Sequence, residues 1–311
     1  MKIGLNMLLW TPHVTEKHFS VFATLRKLGY DGVEIPIFGG DVPHYQKVGR
    51  ALKDAGLGCT AVSVIPDEEH NPISPDAGHR RGAVDRLKWV IDCSVAAGAE
   101  VACGPLYQPL GVFSGQGPME SEKAWAAQVH REAAEYAAHA GIDLALEPLN
   151  RFECYFLNTL GDAAQHAQRV NHPSLGIMYD TFHGNIEERD PVGCITENIR
   201  WLKHFHISSN DRGTPGKDHI PWVETFRALQ RGGYDRWLTI ESFGGPIEGL
   251  AATVKIWRAI SAGAEEVYRT GLETIKKSWK AAAPKKRKPA SKAKPAKRKL
   301  KIKKKTAKAR K

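Results

Sequence analysis

The chain has 311 residues, enough for one large domain of barrel size with an appendage, and contains no segment that reads as membrane-spanning. Its five cysteines (Cys59, Cys93, Cys103, Cys154, Cys194) are odd in number and lack C-x-x-C spacing, which argues against a disulfide frame and a thiolate zinc site and makes a reducing cytoplasm the expected compartment. The net charge of +11 averages two unlike segments, because residues 276–311 carry 19 Lys and Arg and no acid, leaving 26 basic against 34 acidic residues, a net of −8, in the body.

Residues 1–10 are too short and too weakly charged at the front for a secretory signal, and read as a first strand. From there short β-branched runs alternate with amphipathic stretches at helical spacing. Strands are predicted at 2–7, 32–35, 59–64, 100–104, 143–147, 175–180, 202–207 and 237–241. Helices are predicted at 15–28, 45–55, 76–97, 120–140, 160–170, 190–201, 221–230 and 247–263. Gly29-Tyr30-Asp31 and Gly233-Tyr234-Asp235 each end a helix with glycine and enter a strand. Eight such units in residues 1–275 suit a (β/α)₈ TIM barrel, whose usual size is about 250 residues. An open doubly wound sheet is the rival, weakened by the absence of G-x-G-x-x-G after the first strand. The Lys, Ala and Pro repeats of residues 276–311 offer little apolar surface to bury and are expected to form a disordered polybasic tail.

Four of the late strands end on a ligand. The run Leu144-Ala145-Leu146 stops at Glu147-Pro148, since proline cannot donate to a sheet ladder, and Tyr179-Asp180, Phe205-His206 and Ile240-Glu241 close in the same way. Glu147, Asp180, His206 and Glu241 together make an O, O, N, O set suited to a divalent ion such as Mn²⁺ or Mg²⁺. His204 lies a layer deeper than the strand tip and is expected to be a packed structural histidine, while Trp10 and Phe38 are candidates for the pocket wall.

The blocks Glu147-Pro-Leu-Asn-Arg-Phe-Glu153, Leu175 to Glu188 with Asp180 and His183, His204-Phe-His206, Asn210-Asp-Arg212 with Pro215-Gly216, and Ile240-Glu241 resemble the signatures of the D-tagatose 3-epimerase and D-psicose 3-epimerase family. The resemblance runs in order over residues 1–275. It implies a xylose-isomerase-like barrel that inverts C3 of a ketose with a divalent metal, commonly Mn²⁺, with Co²⁺ or Mg²⁺ as alternatives. It also implies Glu147, Asp180, His206 and Glu241 as metal ligands, Glu147 and Glu241 as the proton-transfer pair, and Glu153, His183 and Arg212 as residues binding the O1 and O2 end of the substrate. The chemistry agrees: removing a proton beside a carbonyl requires electrostatic stabilisation of an enediolate, and inversion requires a base on each face. Three stretches depart from the family pattern: Ile207-Ser-Ser-Asn-Asp-Arg212, Asp218 at a usual glycine, and Gly104-Pro-Leu-Tyr107. They leave the ligand set intact and bear on which sugar is used. Arg212 is the one firm basic candidate at the strand tips, so a free rather than phosphorylated ketose is expected.

Other reactions of the same barrel stay open, namely aldose-ketose isomerisation, hydroxypyruvate isomerisation and inosose dehydration. A metal-dependent DNA repair endonuclease also stays open because of the basic tail, although such an enzyme would need further histidines early in the chain. The tail itself is expected to bind nucleic acid or other polyanions without sequence specificity. No membrane partner is expected, and a homo-oligomer is left open.

Overall fold

The computed structural model describes residues 1–243, 245 and 250–284. Eight parallel strands close into a barrel in sequence order. They are β1 (Lys2–Asn6), β2 (Gly32–Pro36), β3 (Gly58–Val62), β4 (Ala99–Gly104), β5 (Asp143–Leu146), β6 (Leu175–Asp180), β7 (Leu202–Ile207) and β8 (Trp237–Ile240). The outer helices are α1 (Phe19–Leu28), α2 (Val42–Asp54), α3 (Ala77–Ala97), α4 (Glu120–Ala140), α5 (Leu160–Val170), α6 (Thr181–Glu187), α7 (Gly193–Asn198), α8 (Trp222–Arg231), α9 (Ala251–Val254) and α10 (Ala264–Ala282). The strands lie where their spacing predicts, to within two residues at each end, because parallel strands buried on both faces leave a strong apolar trace.

Gly29 illustrates how the register is set. It ends α1 in the left-handed region at φ 93°, where Tyr30 N donates to Leu25 O at 3.1 Å, and Asp31 then accepts from Ile3 N at 2.8 Å as the chain enters β2. At the floor of the barrel the Trp237 indole occupies the space that Gly4, Gly32 and Gly58 leave open. A Cβ on Gly32 would lie 2.5 Å from the indole, so these three strands carry glycine where others carry side chains. Outward residues such as Leu5, Ile35, Ile177 and Phe205 are buried in the main core, with helices over the sheet. Inside the barrel, Asn6, Glu34, Thr60, His204, His206 and Thr239 are buried, where such barrels usually stack branched aliphatics.

The chain departs from its expected elements after β8 and after β6. The helix expected at 247–263 is represented among the described residues only by α9, which ends at Lys255 in the left-handed region. The closing helix is α10, which buries Val267, Leu272 and Ile275 and runs through the expected boundary at 275. The body therefore reaches at least Ala282, and Gln230 Nε2 donates to Trp279 O at 2.9 Å beyond that boundary. The rest of the expected tail, 285–311, lies outside the described residues. The stretch 181–201 holds two helices, α6 and α7, rather than the one expected at 190–201. Among the described residues no helix is long and apolar enough to cross a membrane.

Candidate active site

The carboxyl ends of β5 to β8 deliver the four expected ligands to one place. Glu147 follows the last residue of β5, and its N–H still donates to Gly104 O at 3.0 Å before Pro148 ends the ladder. Asp180 caps α6, with Oδ1 accepting from Phe182 N at 2.6 Å and His183 N at 3.3 Å, while Oδ2 accepts from Ser208 Oγ at 2.8 Å. The cap orients this carboxylate without removing it from the site. His206 Nδ1 lies 3.9 Å from Glu147 Oε1, 3.5 Å from Asp180 Oδ2 and 3.6 Å from Glu241 Oε1. One donor atom from each of the four residues lies within 4.8 Å of the others.

Burial drives the Glu147 carboxyl well above the usual carboxylate range, against the pull of His206, and raises Glu241 in the same way. Burial also works against ionised Asp180, but His206, His183 and the Ser208 hydroxyl outweigh it and hold that carboxyl low. His206 Nδ1 is buried and has no hydrogen-bond partner, although three carboxylates surround it. Its other nitrogen, Nε2, is 2.7 Å from Glu34 Oε1. Burial favours the neutral ring, but Glu34, Glu241 and Asp180 hold the His206 imidazole well above its usual range, so with Nε2–H donating to Glu34 the Nδ1 that faces three carboxylates takes either a proton or a cation between them. Among the described residues no Lys or Arg forms an ion pair with Glu147, Asp180 or Glu241. The donor set thus fits a hard divalent ion.

Glu34 is the functional residue that the sequence conceals. It is fully buried, and it accepts from Asn6 Nδ2 at 2.9 Å and from Thr60 Oγ1 at 2.9 Å as well as from His206. His204 Nε2 is 2.7 Å from its second oxygen, and Cys103 Sγ is 3.4 Å away. Glu34, Cys103, His204 and His206 are themselves close enough to suggest a second metal group. The Glu34 oxygens are already held by Asn6, Thr60 and His206, however, so the cluster serves as the support beneath the upper site. His204 is packed inside the barrel, as its depth implied. Asn6 also donates to Glu241 Oε1 at 3.1 Å, tying the support to the site.

Glu153, His183 and Arg212 meet at the side of this centre. Arg212 Nη1 is 3.1 Å from Glu153 Oε1 and Nη2 is 3.3 Å from Oε2, with the guanidinium carbon 4.2 Å from the Phe182 ring centroid. Arg212 holds φ 63°, a left-handed conformation rare for a side chain of this size, with its carbonyl accepting from Phe243 N at 3.2 Å and Ser242 Oγ at 3.1 Å. The Asn150 backbone N–H donates to His183 Nδ1 at 2.9 Å. Burial, followed by the Arg212 charge, lowers His183 to about 4, so near neutral pH its single proton sits on Nε2. That nitrogen is 3.1 Å from Arg212 Nη2 and 3.9 Å from Glu147 Oε1. Two donors therefore face one another with no acceptor between them. An oxygen carrying negative charge would complete the pair.

The chain matches the xylose isomerase-like TIM barrel family over residues 22–283. It belongs to that family. It is 32% identical to a D-psicose 3-epimerase of Ruminiclostridium cellulolyticum, over 86% of this chain and 92% of the relative. It is also 32% identical to a ketose 3-epimerase of Arthrobacter globiformis, over 86% and 93%. The solved D-psicose 3-epimerase of Clostridium cellulolyticum with D-tagatose superposes with a TM-score of 0.81 at 26% identity, covering 91% of this chain and 99% of that one. The chain is an isomerase-class enzyme of the ketose 3-epimerase kind.

Above the ligands this sugar epimerase has a cavity of about 240 Å³. Glu147, Glu241, Glu153, His183 and Arg212 form one end. Leu8, Phe38, Val64, Pro66 and Leu110 are among the side chains of the other. Phe38 walls the cavity as expected, whereas Trp10 is absent from its lining and stacks on Tyr268 with centroids 6.3 Å apart.

Proposed function

We propose that this epimerase inverts C3 of a ketose by proton transfer through Glu147 and Glu241, with a divalent ion, Mn²⁺ in the first instance, held by Glu147, Asp180, His206 and Glu241. The supporting observation is that two carboxylates reach one centre from strands three places apart in the ring, beside two donors, His183 Nε2–H and Arg212 Nη2–H, with no acceptor between them. The ion when bound supplies Lewis-acid polarisation of the ketone. One glutamate takes the C3 proton, and the other returns a proton to the opposite face. His183 Nε2–H and Arg212 Nη2–H stabilise the oxygen on which charge collects, and Glu153 keeps the guanidinium in place. Asn150 fixes the His183 tautomer that this step requires.

The test is incubation of the metal-loaded protein with a panel of ketoses in D₂O. Deuterium at C3 with formation of the C3 epimer is the expected result. Exchange at C1 or C2 would select aldose-ketose isomerisation instead, and no exchange with any ketose would overturn the reading. A nuclease reading is disfavoured, because Glu34, rather than open ligands to further metals, occupies the early-strand positions beside the site. Residues 285–311, with 16 cations, form on this reading a separate polyanion-binding segment of a cytoplasmic protein. Truncation after residue 284 leaves ketose turnover intact and abolishes retention of DNA at about 50 mM salt, where such electrostatic binding is strong.

A further inference from the structure

Two guanidinium groups line the cavity, and they are treated differently. Arg212 is paired with Glu153. Arg86, which reaches the cavity from α3, has no such partner among the described residues. Its Nη2 is 3.2 Å from Phe38 O and 3.5 Å from Ile37 O, and its guanidinium carbon lies 4.1 Å from the Trp89 ring centroid. Nε is buried with no hydrogen-bond partner. Burial lowers the Arg86 pKa, only partly offset by Tyr45, Cys93 and Asp67, and Asp67 is itself engaged with His70 at 2.6 Å. A half-buried cation against Phe38, Val64 and Pro66 carries a desolvation cost that two carbonyls and one aromatic face only partly offset.

The position of this group matters more than its isolation. His183 and Arg212, which take the oxygens next to the reacting carbon, sit past β6 and β7. Arg86 comes in at β2 and β3, on the opposite side of the eight-strand ring. A ketose with its carbonyl end at His183 and Arg212 therefore extends its remaining carbons toward Arg86. Among the described residues the side chains around Arg86 there, Phe38, Val62, Val64, Pro66, Pro105 and Leu110, are apolar. We propose that Arg86 receives an anionic group, a phosphate monoester or a carboxylate, on the end of the ketose remote from its carbonyl. This assignment rests on the epimerase reading for the orientation of the substrate. It replaces the expectation of a free sugar, which rests on Arg212 as the one firm basic candidate at the strand tips, because Arg86 lies on α3 and not at a strand end.

The test uses the metal-loaded full chain and three substrates in each of the fructo and tagato configurations: the neutral ketohexose, its 6-phosphate and its 6-carboxylate. Binding is read by titration calorimetry, and reaction by exchange at C3. One anionic form is expected to bind and turn over about 10 to 100-fold better than the neutral sugar in kcat/KM, the range for a charge-assisted hydrogen bond. The form that does so names the group. Arg86→Gln is expected to remove that preference while leaving the neutral ketose within about twofold, and Arg86→Lys to keep part of it. The proposal is overturned if the wild type binds the neutral sugar as well as both anionic forms, or if Arg86→Gln lowers binding of all three equally. Tight anion binding that depends on Arg86 without any C3 exchange would uphold the anion site and overturn the epimerase reading instead.

Discussion

The two ends of the barrel use the same residue types to opposite effect. At the floor acids are paired with cations: Glu100 holds Lys2 at 2.5 Å, and Asp143 holds Lys203 at 2.7 Å and Arg236 at 2.8 Å. At the top, Glu147, Asp180 and Glu241 share one imidazole, and its facing nitrogen has no hydrogen-bond partner. The floor is electrostatically complete and contributes to stability. The top is incomplete without a cation, so the fold holds like charges together at a cost that an ion offsets when it binds. This division follows the general separation of stability and chemistry between the two faces of such barrels.

The sharpest way to break the comparison is to remove one carboxylate from the top. Glu147→Gln and Glu241→Gln are each expected to lower kcat for C3 exchange by at least about 10² to 10⁴-fold, the contribution of a general base. The same changes relieve repulsion, so the metal-free variants are expected to melt no lower than the metal-free parent in a thermal scan. Turnover near the parent's in either variant under saturating Mn²⁺ would remove the two-base mechanism.

A smaller effect is expected one layer down. Glu34→Gln keeps the size of the side chain but lets the amide offer a donor where His206 Nε2 and His204 Nε2 both approach, which weakens the orientation of His206. Mn²⁺ affinity measured by calorimetry is expected to fall about 10 to 100-fold, as for other residues that orient a metal ligand. Glu100→Gln at the floor is expected to leave that affinity unchanged, and equal losses from the two changes would erase the distinction between the layers.

The smallest effect belongs to the floor. Asp143→Asn removes two partly exposed ion pairs and is expected to cost at most about 1 kcal/mol of unfolding free energy, less at high salt, with kcat unchanged. A loss of turnover without a loss of fold would show that the floor takes part in the chemistry.

Much of this was legible in the chain. Short β-branched, apolar runs mark the strands, and an acid or histidine at the end of four successive late strands points to one site. The closing helix α10 lies wholly beyond the helix expected at 247–263, although Val267, Gly271, Leu272 and Ile275 carry its buried face at helical spacing. Lys276, Lys277 and Lys280 lie inside α10, so the shift to basic composition begins before the helix ends. Glu34 was hidden for a different reason: within Gly-Val-Glu-Ile-Pro it has no sequence neighbour that marks its role, and its partner His206 is 172 residues away.

The sequence alone therefore determined the alternation of strand and helix, the barrel that eight such units close, and the acids and histidine that sit at strand ends, since each depends on residues close together in the chain. Only the tertiary structure decided what surrounds those ligands. Closing the ring brings Asn6, Glu34 and Thr60 beneath His206 and Glu241, turns His183 Nε2 toward Arg212, and leaves Arg86 at the cavity with no carboxylate paired to it among the described residues. Those relations depend on contacts between strands far apart in sequence and on which partners burial leaves to each charge. No local pattern of residues encodes them.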